Sequence, residues 1–158
     1  MTPAAESEVR PKQRGLPQAA VDRPLVRSVS LWSMELIHTC YRVTDPDRSI
    51  AFYEALGFQK RRELPIREEA VNYFLGVPGT RGPELELTYN FETPSGGYDV
   101  GTGYGHIAVT VDDLDTTLAE LAAKGIEPER PPYTVRDRGS RICFVRDPDG
   151  YRVELIEE

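Results

Sequence analysis

The chain has 158 residues, enough for one well-buried domain or for two small modules that share a core. A net charge of −7 argues against nucleic acid or an anionic membrane surface as the main partner, and no apolar run approaches the length of a bilayer span. Two cysteines, Cys40 and Cys143, with no CxxC pair and no secretory signal, suit a reduced, cytoplasmic protein and exclude a disulfide scaffold.

Residues 1–33 are rich in Ala, Pro and Arg, carry net +2 against −9 for the remainder, and show little periodicity. They are expected to form a disordered extension, with Met34 as the start of the working domain, 34–158. A transit peptide is disfavoured by Glu6, Glu8 and Asp22. Residues 36–43 alternate as a strand that carries His38 and Cys40 on one face. Asp45 then reads as a helix N-cap, Pro46 as the first helical residue, Ile50, Tyr53 and Leu56 as an apolar stripe, and Gly57 as the stop. Residues 58–63, 70–75 and 85–90 read as strands that complete a first module, 34–91.

The stretch 92–103, with Thr93-Pro94-Ser95-Gly96-Gly97 and Gly101-Thr102-Gly103, is expected to be a flexible linker. Its glycines lead into a strand rather than a helix, so a phosphate-binding loop fails the context test. The second module, 104–158, begins with the strand 104–111, which carries His106. Asp113 caps a helix with Leu114, Leu118, Leu121 and Ala122 as its stripe, and Gly125 ends it. Pro128, Pro131 and Pro132 mark a loop, and the strands 140–146 and 150–157 flank the turn Asp147-Pro148-Asp149-Gly150. The fold class is therefore α+β, with two tandem βαβββ modules forming a curved mixed sheet.

The two modules are copies. Sliding the chain by 68 positions superposes His38 on His106, Asp45 on Asp113, Gly57 on Gly125 and Leu85-Glu86-Leu87 on Val153-Glu154-Leu155, with no gap between these anchors. Glu86 and Glu154 lie on the faces opposite to their apolar neighbours, which points both carboxylates into the concavity of the sheet. An unpaired buried carboxylate costs several kcal/mol, and a cation removes that cost. His38, Glu86, His106 and Glu154 are thus the candidate metal ligands. Two imidazoles and two carboxylates suit Ni²⁺, Zn²⁺, Co²⁺ or Mn²⁺ and leave positions open for Lewis-acid chemistry. Cys40 is a possible fifth ligand, though a small buried thiol is the expected role.

The stretches His38-Thr39-Cys40-Tyr41-Arg42-Val43, Leu85-Glu86-Leu87-Thr88-Tyr89-Asn90, Tyr104-Gly105-His106-Ile107-Ala108-Val109 and Asp147-Pro148-Asp149-Gly150-Tyr151-Arg152-Val153-Glu154-Leu155 closely resemble the glyoxalase I (lactoylglutathione lyase) family of the vicinal oxygen chelate superfamily. The resemblance covers residues 36–158 and implies that the same four residues bind the metal. It implies conversion of the methylglyoxal–glutathione hemithioacetal to S-lactoylglutathione by proton transfer through an enediolate. Glu154 is taken as the base, with Glu86 able to exchange roles with it. Arg42 and Asn90 match the contacts to the γ-glutamyl end of glutathione, and each lies four residues beyond a ligand on the same strand face, ~13 Å along it. Arg130, Arg138 and Arg141 are candidates for the glycyl carboxylate.

The compact chain resembles the bacterial type associated with Ni²⁺ or Co²⁺, and the family's habit implies a homodimer whose sites combine modules of both chains. The alternatives on this scaffold are an extradiol dioxygenase, an epimerase of a coenzyme A thioester, or a drug-sequestering binding module without a metal.

Overall fold

The computed structural model describes residues 34–137 and 139–158; the extension expected at 1–33 and the candidate Arg138 lie outside the described residues. The elements are β1 (His38–Arg42), α1 (Pro46–Ala55), β2 (Gln59–Ile66), β3 (Ala70–Gly76), β4 (Glu84–Asn90), β5 (Ile107–Val111), α2 (Leu114–Ala122), β6 (Tyr133–Thr134), β7 (Arg141–Arg146) and β8 (Arg152–Glu157). They form two four-stranded mixed sheets, ordered β1-β4-β3-β2 and β5-β8-β7-β6.

Both helices start as the sequence demands. The Asp45 carboxylate accepts from Arg48 N at 3.0 Å and that of Asp113 from Thr116 N at 2.6 Å, which satisfies a free helix-start donor in each case. Gly57 and Gly125 follow the helix ends with φ of +92° and +76°, conformations that side chains with a Cβ rarely adopt. The buried stripe of α1 is Ser49, Phe52 and Tyr53, one position off the expected Ile50, Tyr53 and Leu56; Ile50 and Leu56 are only partly covered. β2 extends to Ile66 as an exposed edge strand, where Pro65 removes no needed ladder bond. β6 was not visible in the proline-rich loop, because two residues carry no periodicity.

The parallel ladders keep the 68-residue repeat: Cys40 faces Glu86 across β1 and β4, and Ala108 faces Glu154 across β5 and β8. The antiparallel ladders break it. Phe74 faces Glu86 and Phe144 faces Glu154, positions 70 apart, so the gapless superposition fails at β3 and β7. The cause is the longer turn that follows β3, residues 77–83, against 147–151 after β7. As a result the facing pair Asn72 and Thr88 corresponds in space to the facing pair Ile142 and Ile156.

One apolar core serves both modules. Tyr41, Tyr53, Leu75 and Leu87 of the first pack in the same cluster as Leu114, Val145, Val153 and Leu155 of the second. A polar clasp adds to it at the β7–β8 turn. Asp149 accepts from Thr44 N (3.0 Å), Thr44 Oγ1 (2.6 Å) and Ser49 Oγ (3.2 Å), and Asp147 accepts from Tyr53 Oη (2.9 Å). Tyr151 stacks on Tyr41, whose hydroxyl is hydrogen-bonded to that of Tyr104. Burial pushes the Asp147 carboxyl up to about 6, against the pull of the Tyr53 hydroxyl and the Tyr151 and Asp149 amides.

Candidate metal and substrate site

Each module builds one imidazole–carboxylate pair in the same way. In the first, His38 opens β1 and its Nε2 lies 3.0 Å from Glu86 Oε2 on β4. The imidazole meets the edge of Phe74 with ring centroids 5.9 Å apart, and the Arg62 guanidinium lies 3.4 Å over the same Phe ring. In the second, His106 directly precedes β5 and its Nε2 lies 3.0 Å from Glu154 Oε2 on β8. Its ring meets Phe144 at 5.2 Å, and the Arg152 guanidinium lies 4.0 Å over Phe144. The two phenylalanines that seat the imidazoles escaped the sequence argument, because their register depends on turn length.

The surroundings of the two carboxylates differ. Glu86, 7% exposed, accepts at Oε1 from Asn72 Nδ2 (2.7 Å) and Thr88 Oγ1 (3.1 Å), which leaves Oε2 directed at the imidazole. Glu154 has no polar partner among the described residues except His106. Ile142 and Ile156 stand where Asn72 and Thr88 stand in the first module, and Ala108 stands where Cys40 does. Cys40 is exposed, not buried as expected, and its Sγ lies 3.3 Å from Thr88 Oγ1; Cys143 is buried in the core.

Within the chain the four expected ligands come together as two pairs, not as a quartet. Among the described residues no three His, Cys, Asp or Glu side chains gather to hold a metal ion. The packing accounts for each pair: Leu85 and Leu87 on β4, and Val153 and Leu155 on β8, point into the shared core, so Glu86 and Glu154 between them point to the other face of their own sheet. Each pair still offers one nitrogen and one oxygen donor from a well-packed floor, and a set of two such pairs fits a borderline divalent cation.

Farther along the ligand face of the first sheet, Arg42 and Asn90 line a cavity of about 500 Å³ with Glu68, Glu69, Glu92 and Tyr98. Tyr98 comes from the stretch expected to be a flexible linker: its hydroxyl accepts from Asn90 Nδ2 at 2.9 Å, and the Arg42 guanidinium lies 6.0 Å from its ring centroid. A lone Tyr among linker residues gave no periodic signal. Of the other arginines, Arg141 is held by Asp115 (2.8 Å) and Glu157 (3.2 Å), and Arg130 lies 3.4 Å over the Tyr133 ring.

Paired βαβββ modules that each carry a His–Glu pair define a class. Residues 35–155 match the family described as the Glyoxalase/Bleomycin resistance protein/Dioxygenase superfamily, and the chain belongs to it. The chain is 40% identical over 127 residues to a lactoylglutathione lyase of Haemophilus influenzae, covering 78% of itself and 93% of that protein. It is 45% identical over 124 residues to a lactoylglutathione lyase of Arabidopsis thaliana, but spans only 43% of that protein's length. Among solved structures, the trypanothione-dependent glyoxalase I of Leishmania major superposes with a TM-score of 0.64 at 36% identity, over 80% of this chain and 88% of that one. Within the superfamily, the chain is a member of the glyoxalase I family.

Proposed function

We propose that the chain is a lactoylglutathione lyase, isomerising the hemithioacetal of methylglyoxal and glutathione to S-lactoylglutathione in a cytoplasmic homodimer with two shared sites. The observation that carries this is the pair of matched imidazole–carboxylate contacts, 3.0 Å in each module, beside a cavity lined by Arg42 and Asn90. His38 and Glu86 of one chain with His106 and Glu154 of the other would hold the metal, with Ni²⁺ favoured over Co²⁺ or Zn²⁺. When bound, the cation supplies several kcal/mol of stabilisation to the charge that develops on the substrate oxygens.

The remaining work falls to side chains. Glu154, restrained by His106 alone among the described residues, is free to reach the C1 proton and to return it at C2. Glu86 is hydrogen-bonded in place and is the steadier ligand. The cavity pairs one cation, Arg42, with three carboxylates, Glu68, Glu69 and Glu92. That combination complements the zwitterionic amino-acid head of the γ-glutamyl residue: guanidinium on its carboxylate, glutamates about its ammonium.

The test is the rise in ultraviolet thioester absorbance from methylglyoxal with glutathione, and separately with trypanothione, after the stripped protein is reloaded with Ni²⁺ or Zn²⁺. Turnover with glutathione is expected. Glu154→Gln should keep the metal and lower kcat by about 10²–10⁴-fold. A metal-loaded wild-type protein with no turnover defeats the proposal, and a Glu154→Gln variant with normal kcat defeats the assignment of the base.

A further inference from the structure

Asn72 sits on β3 across from Thr88, and its amide is divided. Its Nδ2 donates to Glu86 Oε1 at 2.7 Å, while its Oδ1 is buried without any hydrogen-bond partner among the described residues. Turning the amide over would set Oδ1 against the carboxylate, oxygen on oxygen, so the charge of Glu86 dictates the orientation and strands the acceptor. A buried acceptor without a partner is a cost that stability alone does not explain, and the matching site in the second module avoids it by using Ile142.

We infer that Asn72, seconded by Thr88, is a positioning residue that makes Glu86 the fixed member of the carboxylate pair and thereby leaves Glu154 as the one that moves. The inference rests on the isomerase proposal for the purpose of the site, but its structural content is separate. By clamping Oε1, Asn72 keeps Oε2 turned toward His38 Nε2, and the two donors of the first module are held as one rigid unit. Partners of this kind behind a ligand typically account for about 10–100-fold in metal affinity. The Ile142 and Ile156 pair offers Glu154 no such clamp.

The experiment measures Co²⁺ affinity by competition with a chelator, and the visible spectrum of the Co²⁺ protein, for the full chain and for Asn72→Leu. A loss of about 10–100-fold in affinity and an altered ligand-field spectrum are expected for Asn72→Leu, against no change for Ile142→Ala at the matching site. An affinity within about twofold of wild type, with an unaltered spectrum, overturns the inference. If Asn72→Leu does not fold, Asn72→Ser, whose hydroxyl is too short to reach Oε1, and Thr88→Val carry the same expectation. Hemithioacetal turnover of wild type is recorded in parallel. Failure there removes the isomerase proposal, whereas normal turnover with unchanged Co²⁺ binding in the variants removes only the role of Asn72.

Discussion

Mixing two inactive chains should restore activity, and the amount restored is set by how the half-sites combine. One variant carries His38→Ala and Glu86→Gln and loses the 3.0 Å pair of the first module; the other carries His106→Ala and Glu154→Gln and loses that of the second. Neither homodimer retains a complete ligand set. In a twofold dimer whose sites each join one chain's first module to the other chain's second, a heterodimer has one site with all four ligands and one with none. Random pairing on co-expression makes about half of the dimers heterodimers, each with one of its two sites whole, so about one quarter of wild-type activity per chain is expected. Metal content should follow the same fraction, measured by atomic absorption on dialysed protein. None of the mutated groups belongs to the shared apolar core, and Glu86→Gln keeps an oxygen acceptor for Asn72 and Thr88, so both chains should fold as wild type does. If the mixture stays as inactive as its parents although tagged heterodimers are recovered, the sites are not shared between chains and the quartet must form in some other way.

Three further outcomes follow from the same geometry. Ile142→Asn combined with Ile156→Thr installs on Glu154 the clamp that Glu86 has, and should lower kcat while leaving Co²⁺ affinity unchanged or tighter; an unchanged kcat in steady-state assay counts against a mobile base. Arg42→Met removes the one cation of its cavity and should raise KM for the glutathione adduct about 10–100-fold with little effect on kcat, the mark of a binding contact made equally in ground and transition states. Asp147 titrates near 6 in the folded chain against about 3.9 when unfolded, so the folded state binds the extra proton between these values and loses stability as pH rises from about 4 to about 6, by at most about 3 kcal/mol. Asp147→Asn should abolish that segment of the slope in urea titrations of the metal-free protein; an equal pH dependence in both proteins rules the carboxyl out.

The two His–Glu pairs were legible because duplication repeats each signal: a strand His and a strand Glu 48 residues on, twice, and the parallel ladders preserve that spacing. Helix caps were legible for a local reason, since Asp45, Pro46 and Gly57 act within one turn of themselves. What stayed hidden depends on partners remote in sequence. Asn72 shows no pattern of its own; its meeting with Glu86 is decided by the length of the β3–β4 turn, and a gapless repeat pairs it with Ser140 instead of Ile142. Tyr98 lies in glycine-rich chain whose composition suggests slack, and its hydrogen bond from Asn90 Nδ2 is set by the tertiary fold. Likewise the spacing alone left open how the two pairs sit within one chain, where among the described residues they stand as two pairs and not as a quartet.

That separation and the inequality of the pairs have a common physical root. Both copies of the module bury their apolar faces in one core, and in the proposed dimer each half-site is completed by a face from the other chain. Every site of that dimer contains one first-module pair and one second-module pair. Substitutions that anchor a carboxylate in the first module therefore need not be matched in the second. The clamp of Asn72 and Thr88 on Glu86, and its apolar replacement by Ile142 and Ile156 beside Glu154, gives a single site one steady and one free carboxylate. A symmetric pair would offer either two rigid ligands with no base, or two loose ones with weakened hold on the cation.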